Sequence, residues 1–159
     1  MSAAASPQGE LPSPPFTHVL GRVSIYLGAF WTWAGIAKAL SPEAAYAFTA
    51  QVVGGGMPAK FVIVGSVIVE TALGLALLTR ALGSRTGIMI SLVLLSLFSA
   101  LLIAAKAQGG GALACGCYAF FATDAASVDG ELWINGIHVA ILAALLAVHS
   151  YLGRRQRVA

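Results

Sequence analysis

The chain has 159 residues, of which 58% are hydrophobic and only 9% are charged. Soluble globular domains carry about 25% charged residues, so this composition excludes a soluble enzyme, a nucleic-acid-binding domain and a disordered chain. Four stretches of 15 to 22 residues carry no charge apart from Glu70. Because a helix of about 20 apolar residues crosses the hydrocarbon core of a bilayer, we expect a small multi-pass membrane protein.

The predicted elements begin with a tail at residues 1–18, which contains four of the six prolines and no Lys or Arg. It lacks the positively charged start of a secretory signal, so we expect an uncleaved, flexible tail. Four apolar segments follow and predict helices, because strands of a membrane barrel would alternate apolar and polar residues. Their expected bounds are 19–40, 61–79, 86–105 and 132–152, and a basic tail follows at 153–159. The expected fold class is all-α, an integral membrane four-helix bundle over residues 19–152.

The distribution of Lys and Arg predicts the orientation, since the cytoplasmic ends of membrane proteins carry the excess of these residues. With four crossings, six of the nine basic residues fall on the side that holds both termini, namely Arg22, Arg80, Arg85, Arg154, Arg155 and Arg157. We therefore expect both termini in the cytoplasm and the loops 41–60 and 106–131 outside a cytoplasmic (inner) membrane. The basic side predicts contact with anionic membrane lipids, and no nucleic-acid partner is expected.

Small residues at helical spacing predict a helix-packing seam on each of the first two spans. These residues are Gly21, Gly28 and Gly35 on the first helix, and Ser66 and Gly74 on either side of Glu70 on the second. Small side chains let two helix backbones approach where lipid supplies no hydrophobic drive.

Glu70 lies near the middle of the second predicted span, where a carboxyl group is costly. Two interpretations fit: a functional carboxyl group, or a packing group that hydrogen-bonds a neighbouring helix. We expect its partner to be Thr32 or His138. Lys38 is expected to extend its ammonium group from the end of the first span to the membrane surface. His138 is interpreted either as a packing residue or as a proton acceptor for a nearby thiol.

Cys115 and Cys117 are the two cysteines of the chain, and they flank a glycine in the second predicted outer loop. Outside the cytoplasm disulfides persist, and a ring closed across one residue would be strained and easily exchanged. Three interpretations fit: redox exchange, an inert local disulfide, and Cu(I) bound by two thiolates. No cofactor motif is present. Haem ligation by His138 and His149 would need further ligands that the sequence does not offer, so a quinone stacked near Trp31 and Trp33 is the cofactor that we retain.

Three motifs resemble, in the same order, those of the MauE/DoxX-like family of four-helix membrane proteins. The motifs are Gly35-x-x-Lys38, Glu70-x-x-x-Gly74 and Cys115-Gly116-Cys117. The chain departs from the family pattern directly after the cysteines, where Tyr118-Ala119 stands in place of Phe-Gly.

The resemblance covers roughly residues 20 to 150 and implies thiol–disulfide chemistry at the outer membrane face. It implies a role such as maturation of the disulfide-rich small subunit of methylamine dehydrogenase, and other DoxX-like proteins are subunits of quinone-linked oxidoreductase complexes. By position, Cys115 and Cys117 would be the redox pair, with Lys38 and Glu70 as accompanying polar residues.

These features predict a membrane-embedded thiol–disulfide redox protein that acts on an extracytoplasmic partner. The alternative is a non-catalytic accessory subunit of a larger membrane electron-transfer complex. The short chain, the glycine stripe and the lack of a second cysteine pair favour this alternative.

Overall fold

The computed structural model describes the backbone of residues 15–109 and 128–158, and the side chains of residues 18–109 and 128–151. Five helices form this part of the chain: α1 (Pro15–Leu40), α2 (Pro42–Val53), α3 (Met57–Leu78), α4 (Ser84–Ala107) and α5 (Val128–Val158). The predicted all-α fold class is confirmed. Most of the predicted tail at 1–18 lies outside the described residues, as do residues 110–127.

The segment 41–60, predicted to be a loop, is mostly helical. It contains α2, which buries Phe48 and Thr49 on one face, and the first turn of α3. The two helices are joined at Gly54 and Gly56, whose φ angles are 88° and 81°. Residues with a side chain rarely adopt such angles, so these glycines allow α2 to fold back along α3 within three residues.

Helices α1 and α3 pack antiparallel, since Gly28 of α1 lies against Gly74 and Leu78 and Gly35 lies against Val67. α1 packs most extensively on α3, α4 packs on α5, and α2 contacts both α3 and α4. One apolar cluster holds α1, α3, α4 and α5 together through Leu20, Leu27, Trp31, Leu73, Leu77, Ile88, Leu95 and Leu142. A second cluster joins α2 to the end of α4 and the start of α5 through Phe48, Leu102, Ala105 and Val128.

Three of the described helices, α3, α4 and the Val128–Tyr151 part of α5, are long and apolar enough to cross a membrane. Most of their apolar surface faces outward, as lipid-facing helices require. α1 is not in this set, and it carries Arg22 and Lys38 within its length. A fourth crossing and the side on which the termini lie therefore stay predictions.

Candidate functional site

A buried ion pair joins α1 to α3. The Nζ atom of Lys38 lies 2.8 Å from both Oε1 and Oε2 of Glu70. Lys38 is 5% exposed and Glu70 is fully buried. Because an isolated charge in an apolar interior is costly, each of these groups depends on the other to remain inside the bundle.

Glycines set the helix spacing that brings the pair together. A Cβ atom built on Gly74 would overlap the backbone of Thr32 and lie 2.8 Å from the carbonyl oxygen of Gly28. One built on Gly35 would lie 3.1 Å from the carbonyl oxygen of Val67. The predicted packing seam is therefore confirmed at these three glycines. The prediction is wrong for Gly21, which has no atom within 4 Å of its Cβ position.

The ammonium group of Lys38 also borders a small apolar cavity beneath α2. Its Nζ atom lies 5.2 Å from the centroid of the Phe98 ring. The cavity has a volume of about 180 Å³, and the hydroxyl-bearing residues Thr49 and Ser66 are among its otherwise largely apolar lining. The ion pair thus lies in a water-poor interior, in which a charge interaction is stronger than at the surface.

The expected partners of Glu70 are wrong, and so is the expected position of Lys38. The hydroxyl group of Thr32 donates to the carbonyl oxygen of Gly28 at 2.8 Å within its own helix. Both carboxylate oxygens of Glu70 accept from Lys38 instead. The Lys38 side chain turns inward because α2 covers the end of α1 and Glu70 offers a buried counter-charge.

His138 lies elsewhere in the bundle, between α5 and α1. Its Nε2 atom is 2.9 Å from the hydroxyl group of Tyr26, and its Nδ1 atom is 2.8 Å from the carbonyl oxygen of Ile134. Its ring also stacks on Phe30 with the centroids 5.6 Å apart. These contacts hold the imidazole against α1, and none of them involves the ion pair.

The indole rings of Trp31 and Trp33 in α1 do not form one surface on which a ligand ring could stack. Trp31 is buried, and its Nε1 atom donates to the Oγ atom of Ser91 at 2.8 Å. Trp33 is 42% exposed. Residues two apart on a helix point to nearly opposite sides, so one ligand cannot stack on both rings, and a bound quinone stays a prediction.

The predicted redox residues Cys115 and Cys117 lie outside the described residues. Among the described side chains, those of residues 18–109 and 128–151, no cluster of three or more His, Cys, Asp or Glu could hold a metal ion. The Cu(I) interpretation concerns the two cysteines and stays a prediction.

The ends of α4 and α5 that flank the cysteine-containing segment are joined to each other. Lys106, in the last turn of α4, forms an exposed ion pair with Asp129, in the first turn of α5. The apolar cluster of Phe48, Leu102 and Val128 lies at the same ends. The segment that contains Cys115 and Cys117 therefore begins and ends at two helices that are fixed side by side.

The sequence profile described as "Methylamine utilisation protein MauE" matches residues 16–148. The chain belongs to the MauE family. The matched region contains the buried pair, both cysteines and His138, and it confirms the MauE part of the resemblance. Together with the three apolar helices, it identifies a multi-pass membrane protein, and the DoxX part stays a prediction. No curated protein and no solved structure matches the chain significantly.

Proposed function

We propose that this MauE protein carries out thiol–disulfide exchange through Cys115 and Cys117 at the extracytoplasmic face of the cytoplasmic membrane. The observation that carries the proposal is the family match across residues 16–148, which includes the Cys-Gly-Cys motif. The substrate class that we propose is a disulfide-rich extracytoplasmic protein, and the family description supplies the link to methylamine utilisation.

Oxidation of the partner by the Cys115–Cys117 disulfide needs no further oxidant. A thiolate of the partner attacks one sulfur of the Cys115–Cys117 disulfide, and the other sulfur leaves as a thiolate. A second partner thiolate then attacks the partner sulfur of this mixed disulfide, which releases the second cysteine. The partner has lost two electrons and the motif has gained them. A quinone or a disulfide of another protein would return the motif to its oxidised form, since the chain has no other cysteine.

The arrangement of the helix ends supports this proposal. The ion pair between Lys106 and Asp129 and the apolar cluster beside it hold the ends of α4 and α5 together. A reactive segment works best when a rigid scaffold carries it. We propose that Lys38 and Glu70 act as positioning residues, which keep α1 and α3 in register beneath this end of the bundle.

For His138 we propose a packing role in place of a proton-accepting one. Both ring nitrogens lie within hydrogen-bond distance of an atom of α1 or α5. The expected consequence is that exchange depends on the cysteines far more than on this histidine.

One of the three arguments for the accessory-subunit alternative, the glycine stripe, is weakened by the structure. The glycine stripe of α1 was counted in favour of this alternative, but Gly28 and Gly35 of that stripe pack against α3 of the chain itself. The alternative remains the competing outcome of the experiment below.

Trapping a mixed disulfide tests the proposal. In a Cys117→Ser variant expressed in the native host, Cys115 can attack a disulfide of the partner by the reverse of the second step. The serine cannot then displace the partner, so Cys115 should remain covalently bound to it. We expect an adduct on a non-reducing gel that disappears with reductant, and the reciprocal Cys115→Ser variant tests the other sulfur. The Cys115→Ser/Cys117→Ser variant is the control, and it should form no adduct.

Maturation of the partner gives the second readout. The double serine variant should leave the disulfides of the partner unformed or mispaired, at unchanged membrane levels of the MauE protein. Full maturation of the partner with the double variant, together with no adduct from either single variant, would falsify the exchange proposal in favour of an accessory role.

A further inference from the structure

A second cavity lies at the opposite end of the bundle, beside the turn between α3 and α4. It has a volume of about 520 Å³ and is bordered by the first part of α1, the end of α3 and the start of α4. Arg22 and Arg80 are among its lining residues, and no acidic residue is among those described. We call it the basic cavity, and the exchange proposal does not use it.

The start of α4 supplies uncapped backbone donors to the basic cavity. Gly83 at the N-cap has no side chain to accept from the helix, and the first turn contains no acidic residue. The first intrahelical bond runs from the amide of Gly87 to the carbonyl oxygen of Gly83. The amides of residues 84–86 precede this bond, so they have no acceptor within the helix. A helix start of this kind attracts anions.

A buried hydroxyl group gives independent evidence for a ligand. Ser24 lines the basic cavity, and it is only 5% exposed. Its Oγ atom has no hydrogen-bond partner among the described residues. Helical serines usually donate to the carbonyl oxygen four residues earlier, and a buried polar group without a partner costs free energy. An anion in the cavity would supply the missing acceptor.

The turn fixes the backbone conformation of one of the two arginines. Arg80 has a φ angle of 58°, the left-handed conformation, directly after the end of α3. The amide of Leu82 donates to the carbonyl oxygen of Ala76 at 3.3 Å and closes the turn around it. Leu77 and Leu82 line the same cavity, so an apolar wall lies beside the cationic groups.

We propose that the basic cavity binds the phosphate group of a membrane lipid. Arginine side chains and free backbone amides are the usual donors to phosphate oxygens. A volume of about 520 Å³ holds more than a phosphate ion, and the leucine wall suits the glycerol and first acyl carbons. The same donors would also accept free phosphate, and the probes below separate the two sources.

The test measures ligand-induced thermal stabilisation of the full chain in detergent. The probes are dioleoyl phosphatidylglycerol, dioleoylglycerol with the same acyl chains but no phosphate, and inorganic phosphate. We expect the midpoint of unfolding to rise with the phospholipid and not with dioleoylglycerol. An equal rise with millimolar inorganic phosphate would support the same site and identify free phosphate as a ligand.

Single substitutions then locate the site. Arg22→Ala and Arg80→Ala should each raise the apparent Kd for the phospholipid about tenfold, as expected for the loss of one charge-assisted hydrogen bond. Arg85→Ala is the matched control, because Arg85 is an exposed arginine in the first turn of α4 that does not line the cavity. Ser24→Ala should weaken lipid binding while leaving the lipid-free protein as stable as before or more stable.

Two results would overturn the proposal. One is equal stabilisation by phosphatidylglycerol and dioleoylglycerol, which would mean that acyl chains alone bind. The other is an equal loss of affinity in Arg85→Ala and in the two cavity variants, which would indicate general attraction to a basic surface. Neither result bears on the cysteines, so the exchange proposal is tested separately.

Discussion

Replacing Glu70 with leucine should destabilise the protein by about 3–5 kcal/mol, because it leaves the buried ammonium group of Lys38 without its counter-charge. The two hydrogen bonds of 2.8 Å between these side chains would both be lost. The measurement is the free energy of unfolding in mixed micelles of dodecyl maltoside and sodium dodecyl sulfate. We expect Lys38→Met to be destabilising for the reciprocal reason.

The double variant Lys38→Met/Glu70→Leu distinguishes the cost of one unpaired buried charge from the net contribution of the ion pair to stability. Removal of both charges leaves apolar side chains of similar size, and such replacements are often neutral. The double variant should therefore recover most of the stability that either single variant loses. Lys106→Ala is the control, because its pair with Asp129 is exposed and such pairs contribute at most about 1 kcal/mol. A loss no larger than this control in both single variants would show that the buried pair does not hold α1 to α3.

The second large effect is expected at Gly74, where α1 and α3 are closest. In a Gly74→Ala variant the new methyl group overlaps the backbone of Thr32 and lies 2.8 Å from the carbonyl oxygen of Gly28. Backbone atoms cannot rotate away as a side chain can, so the two helices must separate. Overpacking of this kind typically costs 1–3 kcal/mol, and we expect a loss of about 3 kcal/mol in the same unfolding measurement.

Gly65 provides a matched control on the same helix. No atom lies within 4 Å of its Cβ position, and alanine is favoured over glycine in a helix by about 1 kcal/mol. Gly65→Ala should therefore leave the stability unchanged or raise it. Equal effects at both glycines would mean that helix propensity, and not contact between α1 and α3, decides the outcome.

The long helices could be predicted because long apolar runs leave few alternatives in a membrane protein. α2 was harder to recognise as a separate element, since twelve residues are too few to cross a bilayer. In the folded chain, Phe48 of α2 is buried against α4 and α5. Such tertiary contacts are not visible in the composition of the segment.

The sequence analysis did not predict the ion pair, although the spacing of both residues from the packing glycines is visible in the sequence. Lys38 follows Gly35 by three residues, and Glu70 precedes Gly74 by four. Side chains lean toward the N-terminus of their own helix, so in an antiparallel pair the two side chains lean toward each other. The sequence alone predicted a lysine at the membrane surface, because it does not show the register in which α1 and α3 pack.

The pairing of Lys38 with Glu70 also bears on how the protein enters the membrane during synthesis. Neither α1 nor α3 can place its charge in lipid at low cost when alone, whereas together they present a neutral pair. The two residues are 32 positions apart, so α3 is synthesised well after α1. We expect α1 to stay beside the insertion machinery until α3 emerges and the two helices then move into the lipid as one unit.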